Sequence, residues 1–173
     1  MTGNKWSTEK FRTPRNGVLC AAFLLMLGLS HGTSASTWKL TDKDGVDYAL
    51  SGLQGKWVLI NFWAPWCSPC LQEMPDLAAL QQKHKDLQVI GVAVMYGSRK
   101  AVMDVVREKA IPYPIVLGNE DTAGDFGGLV AMPTSFLYSP SGNLVGHHQG
   151  ILTRTEMEQA IDNKPGAASL FTR

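Results

Sequence analysis

Two runs of almost unbroken hydrophobic residues, 58–63 and 87–94, dominate the pattern along this chain of 173 residues. Each run is too apolar for a strand with one face in water and too short for a helix. Both therefore predict strands buried on two faces, as parallel sheets require. Between them, apolar residues at helical spacing predict a helix over residues 68–83 with one apolar face.

The same alternation of strand and helix continues towards the C-terminus. A second helix is predicted near residues 100–109, where valines repeat on one face. A short strand is predicted at residues 115–117, and the resulting order of strands and helices is typical of a βαβ sheet. A last helix is predicted to begin at the capping box that Thr153 and Glu156 can form.

Two hairpins complete the predicted fold. Residues 38–49 alternate polar and apolar side chains around a turn signal at 42–45, and residues 51–56 connect this hairpin to the first buried strand. After the acidic, glycine-rich residues 118–128, residues 134–149 predict two antiparallel strands joined by a turn. We therefore expect an α/β fold with a central mixed sheet flanked by helices and an N-terminal β-hairpin.

The first 35 residues differ in character from the rest. Basic side chains precede an apolar stretch at residues 18–29, and small residues follow at 33–35, which is the three-part pattern of a secretory signal peptide. An apolar stretch of about 12 residues is short of the roughly 20 that cross a bilayer, so cleavage is expected, with a retained anchor as the alternative. We predict a periplasmic protein with a signal peptide at 1–35, a domain at 36–164 and a flexible tail at 165–173.

Removing the signal peptide changes both the charge and the cysteine count. Residues 36–173 carry 12 Lys and Arg against 14 Asp and Glu, which offers no basic surface for nucleic acid. Contact with a membrane is expected only if the N-terminal segment is retained. Cys20 is also lost, so Cys67 and Cys70 are the thiols that remain. Two cysteines so close in sequence cannot join distant elements, and in an oxidising compartment they predict a redox-active disulfide.

Cys67 and Cys70 stand where the first buried strand gives way to a helix. The N–H groups at a helix N-terminus stabilise a thiolate, so Cys67 is predicted to be the nucleophile. Cys70 lies one turn further along and is predicted to resolve the mixed disulfide. Half of a zinc site is the alternative, but the mature sequence has no second cysteine pair, and the adjacent His147 and His148 would point to opposite faces of a strand. We expect no metal and no cofactor.

Glu73 follows Cys70 by one further helical step. A partly buried carboxylate beside Cys70 would have a raised pKa and could exchange the proton that the thiol loses and regains. A solvent-facing acid that favours the helix dipole is the alternative, and spacing alone does not separate the two.

Three segments together resemble a known family: Asn61–Cys70, which reads NFWAPWCSPC, then Glu73–Pro75, and far downstream Met132–Thr134. They are similar to the thioredoxin-fold proteins of the TlpA/ResA type, the exported thiol-disulfide oxidoreductases that bacteria use in an oxidising compartment. The resemblance runs from about residue 38 to residue 163. It implies a thioredoxin-like fold and redox catalysis by the two cysteines.

The resemblance also assigns roles to residues outside the cysteine pair. Glu73 corresponds to the buried acid that tunes the pair in this family, which favours the buried alternative. Pro133 corresponds to a cis proline opposite the cysteines, where the missing N–H lets the backbone of Met132 face an incoming peptide. Trp66, Met132 and Pro133 are therefore predicted to contact the substrate, with plain packing as the alternative role of Trp66.

Asn61 and Met132 depart from the family pattern. Asn61 stands where ordinary thioredoxins carry a buried aspartate, and an amide cannot shuttle protons. The acid role is therefore left to Glu73, and Asn61 is expected to be a structural, hydrogen-bonded group. Met132 stands where a smaller or β-branched residue is more usual, and its flexible side chain is expected to alter the choice of partner.

The expected activity is thiol-disulfide exchange with protein substrates. The resemblance favours a dithiol reductant that serves cytochrome c maturation or copper-site assembly and receives electrons from a membrane thiol reductase. A net oxidant or isomerase of exported proteins is the alternative, because the sequence does not fix the reduction potential. A copper-binding chaperone on the same fold is a further alternative, although such proteins usually separate their cysteines by three residues and add a distant histidine.

Overall fold

Alternating strands and helices fill the part of the chain that the computed structural model describes, residues 37–162 and Phe171. The strands are β1 (Lys39–Thr41), β2 (Asp47–Ala49), β3 (Trp57–Trp63), β4 (Leu87–Ala93), β5 (Ile115–Leu117), β6 (Thr134–Tyr138) and β7 (Leu144–Gln149). The helices are α1 (Ser68–Lys83), α2 (Arg99–Glu108), α3 (Glu120–Gly124) and α4 (Arg154–Ile161). The predicted signal peptide and, apart from Phe171, the predicted tail lie outside the described residues. Among the residues described, no helix combines the length and apolarity needed to cross a bilayer.

Five strands form the central sheet in the order β5-β4-β3-β6-β7. The pairs β3–β4 and β4–β5 are parallel, whereas β3–β6 and β6–β7 are antiparallel, so the sheet is mixed as predicted. Every residue of β3 is buried, which agrees with its almost continuous apolar sequence and its central place. The separate pair β1–β2 is the predicted N-terminal hairpin.

Alternation along β3 separates two cores, because successive strand residues point to opposite faces. We call the side of Leu59 and Trp63 the first face, and the side of Val58, Ile60 and Phe62 the second face. The first face packs against apolar residues of α1, α2 and α4. The second face is covered by the N-terminal hairpin and by residues in and after α3.

The second face is held together by aromatic rings. Phe62 meets Phe126 and Phe136 with ring centroids 5.1 and 5.8 Å apart, both near-perpendicular. Trp38, just before β1, packs on Phe126 and Tyr138 from the hairpin side. Such edge-to-face pairs add to the burial of the rings themselves.

Capping boxes begin two of the helices, α4, which was predicted, and α3, which was not. Thr153 and Glu156 form the predicted capping box at α4. Asn119 and Thr122 form a second box, which stabilises the short helix α3 inside the glycine-rich stretch 118–128. A single 3₁₀ turn, Leu50–Leu53, occupies part of the predicted connection at 51–56.

Candidate active site

The two cysteines lie between the end of β3 and the start of α1. Cys67 is the N-cap of α1, with Pro69 in the first turn, where a missing N–H costs the helix nothing. Cys67 and Cys70 are joined by a disulfide, and their Cα atoms are 5.3 Å apart. The backbone N–H of Cys70 donates to the Sγ atom of Cys67 at 3.3 Å. The strand-to-helix turn therefore supplies a donor aimed at the outer sulfur.

Exposure differs between the two sulfurs in the predicted direction. Cys67 is 5% exposed, whereas Cys70 is completely buried under the helix. A partner can thus reach Cys67 first, since attack on a disulfide requires access to a sulfur.

Glu73 is a buried acid on the same helix, only 1% exposed. Its two carboxylate oxygens accept hydrogen bonds from the Nδ2 group of Asn61 at 2.6 Å and from the N–H of Leu152 at 3.1 Å. Burial raises the pKa of Glu73 to about 7, although these two bonds and the charge of His148 act in the opposite direction. The solvent-facing alternative for Glu73 is therefore wrong, and the buried one is correct.

Asn61 is buried and hydrogen-bonded, as predicted. Its Nδ2 group also donates to the Oγ of Ser135 at 3.0 Å, so one amide on β3 is joined to α1 through Glu73 and to β6 through Ser135. The Oδ1 atom of Asn61 and the hydroxyl of Tyr113 are buried without a hydrogen-bond partner among the described residues. Burial and the nearby Glu73 both raise the pKa of Tyr113. Glu73 thus belongs to a polar cluster inside the first core.

The sequence carried a signal for the contact between Asn61 and Glu73. Asn61 lies two residues from Leu59 and from Trp63, and strand alternation places all three side chains on the first face, towards α1. Asn61 is therefore the residue of the strand that can reach a polar group on that helix.

The predicted cis bond is present between Met132 and Pro133. Met132 helps to line a cavity of about 430 Å³ over the cysteines, which we call the site cavity. Its lining consists of Trp66, Cys67, Ser68, Pro69, Met95, Leu129, Val130, Ala131 and Met132. Trp66 is 63% exposed, which fits a contact surface better than a packing role, and its indole N–H donates to the carbonyl of Met95 at 2.7 Å. Met95, Leu129 and Val130 come from loops without a motif, so no signal in the sequence marked them as site residues.

The two adjacent histidines face different neighbours. The ring of His147 lies 5.6 Å from Phe136 on the second face, and the ring of His148 lies 6.2 Å from Phe171, which is buried in the first core. Within residues 37–162 and Phe171, no group of three or more His, Cys, Asp or Glu side chains is arranged to hold a metal ion.

The fold and the site together define the class of protein, a thioredoxin-like thiol-disulfide oxidoreductase. The features that define it are the mixed five-stranded sheet, the CxxC pair at a helix N-terminus and the cis proline in the loop beside that pair. Residues 31–147 match the model of the AhpC/TSA family, and the chain belongs to that family.

Individual relatives agree with this class. The chain is 33% identical over 151 residues to the thiol-disulfide oxidoreductase ResA of Bacillus subtilis, covering 86% of this chain and 84% of that protein. It is also 33% identical over 140 residues to the thioredoxin-like protein YneN of the same organism, covering 79% and 81%. Among solved structures, a thiol:disulfide interchange protein of the thioredoxin family from Chlorobium tepidum matches with a TM-score of 0.68 and 26% identity, over 75% of this chain and 93% of that one.

Proposed function

We propose that this protein is an exported dithiol reductant of protein disulfides, with Cys67 as nucleophile, Cys70 as resolving thiol and Glu73 as proton acceptor. The main support is a buried acid on the helix of the cysteine pair, together with a cavity over that pair whose described lining contains no Lys, Arg or His. Export is supported by the signal-peptide pattern of residues 1–35.

The first step is attack by the thiolate of Cys67 on one sulfur of a partner disulfide. A bond forms between Cys67 and that sulfur, the partner's disulfide breaks, and the second partner sulfur leaves as a thiolate that takes a proton from solvent. Cys67 suits this role because it is the more exposed thiol and its sulfur receives the N–H of Cys70.

In the second step, Cys70 gives its proton to the carboxylate of Glu73 and attacks the Sγ of Cys67. This forms the Cys67–Cys70 disulfide and releases the first partner sulfur as a thiolate, so two electrons have passed to the partner. Burial raises the pKa of Glu73 to about 7, which makes its carboxylate a stronger proton acceptor near neutral pH than an exposed one.

The electrostatics of the site favour electron flow towards the partner. Strong dithiol oxidants owe their potential to a stabilised reduced form. No Lys, Arg or His lines the site cavity in the described part of the chain, and ionised Glu73 repels a thiolate at Cys70. The N–H groups at the start of α1 are then the stabilisation left to a thiolate at Cys67 among the described residues of this cavity, which favours a reductant over a strongly oxidising pair.

The catalytic cycle needs a source of dithiol electrons in an oxidising compartment. We propose a membrane thiol reductase as the donor, and clients in cytochrome c maturation or copper-site assembly, as the family resemblance suggests. Trp66, Met132 and Pro133 are proposed to contact the client, since Trp66 and Met132 line the site cavity and Pro133 follows directly.

A trapping experiment in the bacterial envelope tests the proposed roles. Cys70→Ser removes the resolving thiol, so mixed disulfides with clients should accumulate through Cys67 and dissolve on treatment with dithiothreitol. The double variant Cys67→Ser/Cys70→Ser, matched in bulk, should show none. The absence of any reducible adduct in the single variant would contradict the proposal.

A further inference from the structure

A second cavity of about 600 Å³ adjoins the site cavity at Met95 and Leu129, which line both. Its walls come from the end of β4, the segment after β5, α3 and the loop that follows. They are formed by Val94, Met95, Tyr96, Gly97, Gly118, Asn119, Glu120, Ala123, Gly124, Gly128 and Leu129. The two cavities therefore lie side by side, and a polypeptide over Cys67 is adjacent to the second one.

Glycines keep the second cavity open. A Cβ atom added to Gly97, Gly124 or Gly128 would meet no atom within 4 Å, so no neighbouring side chain fills the space beside them. In Gly97 and Gly128 the backbone also has a φ of +67° and +82°, which larger residues rarely adopt.

Met95 is held at the junction of the two cavities. It adopts a φ of 50°, a left-handed conformation that is uncommon for a residue with a side chain, and it is 58% exposed. Its carbonyl accepts the hydrogen bond from the Trp66 indole at 2.7 Å. Trp66, which precedes the reacting cysteine, thus holds the backbone of a residue that lines both cavities.

The chemistry of the second cavity defines what it can bind. Its side-chain walls are mainly apolar, with Val94, Met95 and Leu129 among them, and Glu120 is the charged residue among those that line it. An apolar side chain gains free energy on leaving water for such walls, and a neighbouring cationic residue would be attracted to the carboxylate of Glu120.

We propose that the second cavity is a client subsite, which accepts an apolar side chain of the polypeptide whose disulfide lies against Cys67, with a Lys or Arg of that polypeptide facing Glu120. This inference rests on the proposed function, since it concerns the same client. The subsite makes the protein prefer disulfides that are flanked by suitable residues. The two cysteines by themselves provide no such preference.

The test compares disulfide peptides that differ in one flanking residue. The reduced full chain is mixed with disulfide-containing peptides that carry a single Leu at one of the positions flanking the disulfide. A second series carries Ser at the same position in each peptide. At one position the Leu peptide should be reduced about 10- to 100-fold faster than its Ser partner, as expected from burying one aliphatic side chain. Equal rates at every position would overturn the subsite.

Two glycine variants localise the effect. Gly124→Leu places a side chain in the subsite, at a position of ordinary backbone conformation with no atom near its Cβ, and should bring the Leu-to-Ser rate ratio to about one. Gly52→Leu is the matched control, because Gly52 is also exposed and has no neighbour within 4 Å but lies outside the subsite. It should keep the wild-type ratio. An unchanged ratio in Gly124→Leu would overturn the assignment to this cavity.

A charge variant and a small probe complete the test. Glu120→Gln should remove the advantage of a peptide with Lys over one with Gln next to the Leu, and an unchanged advantage would overturn the charge assignment. Glutathione disulfide has no large apolar side chain to place in the subsite, so it reports on the cysteines alone. If the wild-type protein reduces it but shows no Leu preference, the subsite fails and the reductase stands; if it reduces no disulfide at all, the proposed function fails.

Discussion

The two faces of the central sheet are buried equally well but are built from different residues. The second face is a packed group of aromatic rings around Phe62, Phe126 and Phe136. The first face buries Asn61, Glu73 and Ser135 among its aliphatic residues, joined by hydrogen bonds of 2.6 and 3.0 Å. Both faces share strand β3, so they differ in the side chains that line them and not in the strands that form them.

The second face therefore stabilises the fold, and the first face carries the residues proposed to take part in the reaction. Burying a carboxyl raises its pKa because the charged form loses water, and the molecule is less stable for it at neutral pH. The acid is therefore placed on the face that carries the cysteines, where a group that titrates near pH 7 can exchange protons with Cys70.

The largest expected loss of stability comes from disrupting the packing of the second face. Phe62→Ala removes a completely buried ring that contacts two others, and should lower the free energy of unfolding by about 3–5 kcal/mol. Denaturant unfolding of the oxidised protein measures this change. The reduction potential of the folded variant should stay at the wild-type value, because Phe62 points away from the cysteine face. A large shift in that potential would show that the two faces are not separable.

The second prediction is that the free energy of unfolding depends on pH through Glu73, which lies on the first face. The pKa of Glu73 rises from 4.5 to about 7 on folding, so the folded state binds this proton more tightly. The stabilisation is fully present below pH 4.5 and is lost as the pH rises through 7, a change of about 3 kcal/mol. Comparing wild type with Glu73→Gln, both oxidised, from pH 4.5 to 8 isolates this contribution from other groups. A difference in unfolding free energy that does not change with pH would contradict it.

A smaller effect tests the hydrogen bond that tunes the acid. Asn61→Leu removes the donor to the carboxylate of Glu73, and should raise the pKa of Glu73 by roughly one further unit. A carboxyl-carbon NMR titration of the oxidised protein reports this directly. Ser135→Ala removes the other partner of Asn61 but leaves the bond to Glu73, so it should shift the pKa less. An unchanged or lowered pKa in Asn61→Leu would show that the amide does not stabilise the charged form.

Much of this arrangement was predictable from local patterns in the sequence. The apolar run of β3, the helical spacing of α1 and the turn before β7 each report on short-range geometry, and the elements lie where these patterns place them. The burial of Glu73 needed more than spacing, because a residue at that step of α1 can face either solvent or the core. The family resemblance separated the two outcomes, and the buried one is observed.

Other contacts between distant segments were not predictable from the sequence. Glu73 meets Leu152, 79 residues away, through a backbone N–H that carries no residue signature. Met95 reaches the site cavity because a left-handed backbone turns it there, and methionine gives no hint of that conformation. Such contacts depend on how loops meet in space, which periodicity and motifs do not encode.

The reduction potential of the Cys67–Cys70 pair tests the central claim most directly. The purified protein is equilibrated at pH 7 with buffers of graded glutathione and dithiothreitol ratios, and the reduced fraction is read from alkylated thiols. A dithiol reductant should give a value at or below about −230 mV, towards the roughly −270 mV of thioredoxin. A value above about −180 mV, in the range of the oxidising disulfide catalysts, would contradict the account and identify a net oxidant on the same fold.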